Sequence, residues 1–254
     1  MNDHAESVES ADSADAGELA EWARLRDRLL ERGRLPALPD GWSHQSAMLG
    51  AEGYEYGGDF IVSDLAPDGR SLQMVLVDVC GSGATAVPAA VQFAGALQSL
   101  IVAVTEEALL VTANTNLQRQ PADESIATAV QVVIDLATGQ YRIRSAGHPP
   151  ALRWDAEAQV WQVDNARGTA LGVDEAPEVV ASSGTLAPGE ALLFYTDGVV
   201  ESRSAGIDEG IAWLRSVARA AVLDRWEGAA ARVVDQVDRG DDDRAVLIVR
   251  RDGI

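Results

Sequence analysis

The apolar positions of this chain change period several times, and the changes mark its elements. Residues 17–32 carry Leu19, Trp22, Leu25, Leu29 and Leu30 at helical spacing with charged residues opposite, the pattern of an amphipathic helix. Gly33 supplies a stop, and Pro36 and Pro39 prevent continuation. From about Trp42 the pattern becomes strand-like. Phe60-Ile61-Val62 and residues 72–79 are apolar runs separated by the turn Pro67-Asp68-Gly69. Residues 84–108 predict a helix with Pro88 in or near its first turn, where a missing N–H is harmless, and residues 109–120 predict a second helix. Strands are expected again at 126–136 and 141–146 around Ala137-Thr138-Gly139-Gln140, then at 151–154, 160–163, 179–181 and 191–195. Two more helices are expected near 209–222 and 227–238, and a last strand at 244–250. Strands in hairpin order with helices inserted in pairs predict an α+β fold of mostly antiparallel sheets. Residues 1–15, acidic and without aromatics, read as a disordered tail; 16–40 read as the helix and its proline-bearing connector, and 41–254 as one domain without internal repeat.

Composition narrows the function. With 254 residues, 47% of them hydrophobic, the chain can bury a large core. A net charge of −20 argues against binding nucleic acid or an anionic membrane surface. All 20 basic residues are arginine, so Schiff-base chemistry, a P-loop lysine and a Ser-Lys pair are excluded. Cys80 is the one cysteine, which excludes an intrachain disulfide and a thiolate zinc cluster and fits a reducing cytoplasm. The polar, acidic N-terminus predicts no secretory leader. Residues 79–105 carry no charge and are long enough to span a membrane, but Gln92, Gln98 and Ser99 interrupt them, so a buried core helix is expected.

The candidate chemistry lies in five short motifs: Gly57-Gly58-Asp59, Asp78-Val79-Cys80-Gly81-Ser82-Gly83, Ala146-Gly147-His148-Pro149-Pro150, Tyr195-Thr196-Asp197-Gly198 and Asp242-Asp243. Asp78 and Asp197 each end an apolar run and precede glycine, and Asp242 and Asp243 stand just before the last strand. A carboxylate placed where a buried strand reaches the surface is firmly held yet accessible. Each acid alone is equally well a turn residue or helix cap. Together they form an all-oxygen donor set, which selects Mg²⁺ or Mn²⁺ over zinc or copper. His148, alone in a glycine-proline turn, reads as structural before catalytic, and Cys80 as a small buried side chain.

In order and spacing these motifs resemble the metal-dependent protein serine/threonine phosphatases, the protein phosphatase 2C superfamily, and within it the bacterial branch of stage II sporulation protein E. The resemblance covers about residues 45–251, with Leu171-Gly172-Val173 and Leu186-x-Pro188-Gly189-Glu190 falling between the motifs as in the family. It implies a four-layer α-β-β-α sandwich, two antiparallel sheets flanked by helix pairs, with two Mn²⁺ or Mg²⁺ ions at one end. It implies that Asp78 bridges both ions, that the Val79 carbonyl is a ligand, that Asp197 and Asp242 complete the first ion, and that Asp59 holds the second directly or through water. Asp243 would support from beside Asp242, and Gly58, Gly81, His148 and Gly198 would surround the ligands. Metal-activated water would attack phosphorus in line, with no covalent enzyme intermediate. The chain departs from the pattern at Cys80, where the eukaryotic branch has a histidine proposed as general acid, and at Ser82, often a lysine in the bacterial branch. It departs again at Arg244-Ala245, where an apolar residue and threonine are usual. The first departure leaves the leaving-group acid unassigned; the last leaves both Asp242 and Asp243 open as the ligand.

The resemblance further implies a substrate of the anti-anti-sigma type, a small regulatory protein phosphorylated on serine or threonine. The apolar stripe of the helix at 17–32 is read equally as packing on its own domain or as a regulatory contact, homodimer or partner. Two other readings keep the same fold: a catalytically inactive partner-binding module, and a phosphatase of small metabolites.

Overall fold

The computed structural model describes residues 24, 25, 27, 28, 31, 34–50, 57–81, 86–120, 126–201, 206–237 and 242–253. Two antiparallel sheets pack face to face. One has five strands in the order β1 (Trp42–Leu49), β11 (Arg244–Arg251), β10 (Ala191–Tyr195), β6 (Leu152–Asp155), β7 (Val160–Val163). The other has six, in the order β2 (Phe60–Leu65), β3 (Ser71–Val79), β4 (Ala127–Asp135), β5 (Gln140–Ala146), β9 (Val179–Thr185), β8 (Arg167–Gly168). Helices α1 (Ala86–Ala103) and α2 (Leu109–Gln118) cover the six-stranded sheet, while α3 (Ile207–Asp224) and α4 (Ala229–Val234) cover the five-stranded one. The result is the expected four-layer α-β-β-α sandwich.

Strand alternation sorts the side chains into three apolar layers. On β3, Leu72, Met74 and Leu76 face the other sheet, while Val75, Val77 and Val79 face α1. On β10, Leu192 and Phe194 face inward and Leu193 and Tyr195 face α3 and α4. Both faces of these strands are buried, so their sequences read as unbroken apolar runs. Helix α1 presents Val87, Ala90, Phe93, Ala94, Leu97 and Ile101 to its sheet, and Phe93 meets Phe60 edge-on with ring centroids 6.0 Å apart. By length and composition α1 could cross a membrane; here that apolar face is spent on the core. Outside the other sheet, Trp154, Trp161 and Trp226 meet in tilted and edge-to-face contacts, and the Arg250 guanidinium lies 4.4 Å from the Trp226 ring centroid.

Several boundaries differ from expectation. The helix expected at 84–108 is described from Ala86 and ends at Ala103; in the turn that follows, Glu106 and Glu107 pair with Arg142 and Arg144 of β5. The helix expected at 227–238 is only Ala229–Val234. Strand β8 was not anticipated; it forms because Gly168 lets the chain pass within contact of the Ser145 and Glu178 carbonyls. Of the expected N-terminal helix, residues 24, 25, 27, 28 and 31 are helical and Leu25 packs against the α1 layer. The remainder of 17–32 and the 1–15 tail lie outside the described residues.

Candidate metal centre

The alternation that builds the middle layer also builds the site. Asp59 lies two residues before inward-facing Ile61, Asp78 two after Leu76, Thr196 two after Phe194, and Asp243 two before Ala245. At one end of the sandwich the apolar layer is therefore completed by polar side chains. Register brings their strands together. Phe60 pairs with Val77, so Asp59 arrives beside Asp78; Tyr195 pairs with Val246, so Thr196 and Asp197 arrive beside the start of β11. Asp197 and Asp242 lie just past their strand ends, at the rim: Asp197 opens a short 3₁₀ turn and is half-buried, and Asp242 is exposed.

Local contacts hold these acids in place. The Asp243 carboxylate is buried and accepts the Gly58 N–H at 2.7 Å. A Cβ on Gly57 would fall 2.5 Å from that carboxylate, and one on Gly58 2.6 Å from the Val79 carbonyl oxygen. The glycine pair is needed so that this backbone can lie against both Asp243 and Val79. A Cβ on Gly198 would meet the Asp243 carbonyl oxygen at 2.1 Å. Gly81 has φ +122, a conformation that lets the chain turn away after Asp78. Asp242 Oδ1 accepts the Asp243 N–H at 2.8 Å, so the two neighbouring acids occupy different positions: Asp243 braces the Gly57-Gly58 segment from within, and Asp242 stands at the open rim. His148 is buried, its Nδ1 2.8 Å from the Thr128 hydroxyl, and Thr128 pairs across the sheet with Asp78. Cys80 is exposed, contrary to expectation; it follows the last residue of β3 and so has left the packed layers.

Electrostatics set these acids apart from ordinary surface carboxylates. Burial, then Asp197, Asp242, Asp243 and Glu201, push Asp78 up to about 7. Burial, then Asp242 and Glu201, push Asp197 up to about 6. Asp59 is raised well above the usual carboxylate range by burial, then by Asp78 and Asp243. Burial holds His148 down at about 3, so it is neutral. Among the described residues, no arginine figures in the main influences on Asp59, Asp78 or Asp197. The cluster thus combines hard oxygen donors with mutually repelling carboxylates, which fits a divalent cation. No three such side chains among the described residues close into a ready-made cage; Mg²⁺ and its like keep several waters and bind through one or two carboxylates each.

The family model for stage II sporulation protein E matches residues 68–252. The chain belongs to the SpoIIE family. Solved structures agree. The RsbU and RsbW domains of a Mycobacterium tuberculosis protein match with a TM-score of 0.75 at 26% identity, over 86% of this chain and 62% of that one. The SiaA-PP2C domain of Pseudomonas aeruginosa matches with a TM-score of 0.72 at 20% identity, over 99% of this chain and 100% of that one. RsbX, solved in complex with magnesium, matches with a TM-score of 0.63 at 15% identity, over 84% of this chain and 96% of that one. The fold is that of PP2C phosphatase domains. Within this SpoIIE-family site the sequence assigned no role to three residues: Thr196, whose hydroxyl contacts Asp59; Thr128, beside Asp78; and Glu201, which acts on both Asp78 and Asp197. The two threonines were signalled by their in-phase position with inward apolar residues.

Proposed function

We propose that this SpoIIE-family protein is a metal-dependent protein phosphatase acting on phosphoserine or phosphothreonine of an anti-anti-sigma-type regulator. The observation that carries the reading is the set of aspartates delivered by separate strand ends to one end of the middle layer. Their charge is opposed by burial and by one another. A divalent ion would reverse that balance, stabilising the ionised carboxylates it otherwise finds raised. Two such ions, Mn²⁺ or Mg²⁺, supply Lewis-acid neutralisation of the phosphate and activation of a water.

The residues would divide the work. Asp78, between the Asp59 side and the Asp197 side, would bridge the ions, with the Val79 carbonyl beside it. Asp197 and Asp242, at the rim, would hold the first ion; Asp59, deeper, would hold the second. Asp243 would keep Gly57 and Gly58 in position while Gly198 brings Asp197 against the start of β11. A rim position suits a phosphorylated residue presented on the surface of a folded partner. The pairing of RsbU and RsbW domains in the mycobacterial relative supports a regulatory protein as substrate. A cytoplasmic setting and a regulatory contact through residues 17–32 complete the proposal.

The test is release of phosphate from a phosphorylated anti-anti-sigma protein and from p-nitrophenyl phosphate, with Mn²⁺ and with EDTA. Metal-dependent turnover abolished by Asp78→Asn and by Asp197→Asn is expected. Equal turnover by both variants and the wild type, independent of metal, would sink the proposal.

A further inference from the structure

We infer that Thr196 is a positioning residue: its hydroxyl replaces a missing strand acceptor and thereby aims Asp59 at the second ion. This rests on the metal-centre reading above. Thr196 is fully buried immediately after β10, in phase with inward-facing Phe194. Its backbone N–H donates to the Ala245 carbonyl at 3.1 Å, as in an antiparallel ladder. The reciprocal ladder bond is not made. The Thr196 carbonyl instead accepts the Val199 N–H at 3.0 Å, closing the 3₁₀ turn that presents Asp197. The Ala245 N–H donates to the Thr196 side-chain Oγ1 at 2.8 Å. The hydroxyl therefore stands in for the carbonyl, and the chain can leave the strand for the turn without orphaning a buried donor.

That substitution has a directional consequence. A hydroxyl has one hydrogen. With its oxygen receiving the Ala245 N–H, the Thr196 hydrogen goes to Asp59 Oδ2, 2.8 Å away. Oδ2 is thus held as an acceptor, and Oδ1 remains as the oxygen offered to a cation. One hydrogen bond accepted and one donated fix the position of the hydroxyl. One side chain ties together Asp59 on one sheet, Asp197 next in sequence, and the β11 segment that follows Asp242 and Asp243 on the other.

Mn²⁺ binding to the whole chain by calorimetry, together with thermal melting in EDTA, tests this in Thr196→Val, Thr196→Ala and Thr196→Ser. Partners of metal ligands typically contribute about 10–100-fold in affinity, so Val and Ala should each weaken Mn²⁺ by about that factor while Ser stays within about threefold of wild type. Val or Ala binding Mn²⁺ like wild type, whatever their melting temperatures, would overturn the inference, since a purely structural threonine alters melting and not the affinity of the folded protein. If Val does not fold, Ala and Ser carry the same comparison. If the wild type itself binds no Mn²⁺, the metal-centre reading falls, and the inference with it.

Discussion

Asp78→Asn should stabilise the metal-free protein while removing its metal-dependent activity. In the folded chain Asp78 is pushed from an ordinary 3.8 up to about 7, by burial first and then by neighbouring acids. A shift of roughly 3 units at about 1.4 kcal/mol per unit amounts to ~4 kcal/mol against folding once the carboxylate is ionised. Because the folded value lies above the unfolded one, the folded state binds the extra proton between them. Its stability from this group is greatest below about pH 4 and is lost as the pH rises through 7. Asparagine keeps the shape and cannot ionise, so its advantage should grow from under about 2 kcal/mol at pH 5 to about 4 kcal/mol at pH 8. At about 2–4 °C per kcal/mol for a chain of this size, melting in EDTA at pH 8 should rise by roughly 8–16 °C. The assay is melting by circular dichroism in EDTA from pH 5 to 8, beside Mn²⁺-dependent phosphatase activity. A variant that melts lower than wild type at pH 8, or whose advantage does not grow with pH, would refute the reasoning. Stabilisation combined with inactivation is the signature of a site kept charged for its ligand.

The same electrostatics predict that Mn²⁺ affinity rises between pH 5 and 8, because ion binding must displace protons from Asp78 and Asp197; calorimetry in buffers of different ionisation enthalpy should detect proton release, and a flat pH profile would contradict it. Asp243→Ala leaves the buried Gly58 N–H without its acceptor and should destabilise by about 1–3 kcal/mol, whereas Asp243→Asn retains an acceptor oxygen and should melt close to wild type. Denaturant titration separates them, and equal losses would contradict the bracing role. Gly198→Ala places a Cβ 2.1 Å from the Asp243 carbonyl oxygen and should cost about 2 kcal/mol or more through forced backbone movement, seen as a lower melting temperature; an unchanged melting temperature would refute the close approach.

Much of this architecture is legible in one dimension. The apolar runs around Leu76 and Phe194 and the turn residues between strands are local signals, and they mark most elements to within a few residues. The acids at strand ends are equally visible. The division of each run between two layers is not: Phe60-Ile61-Val62 is apolar at every position because both faces of its strand are covered, so the period of two that puts Asp59 in phase with Ile61 is masked. The surroundings of the end of α1 are likewise invisible locally. Glu106 and Glu107, just beyond that end, meet arginines on β5 more than 30 residues away, a contact that no local propensity records.

Sequence alone thus marks five aspartates, each beside the end of an apolar strand run, as candidates for a hard cation. It does not establish that Asp59, Asp78, Asp197, Asp242 and Asp243 share one site, that Asp243 braces a glycine pair while Asp242 stands at the rim, or that Thr196 completes a ladder with its hydroxyl. Those follow from strand pairing and from burial. Both are sums over neighbours far apart in the chain, and burial at the end of the middle layer turns ordinary aspartates into groups whose charge calls for a cation.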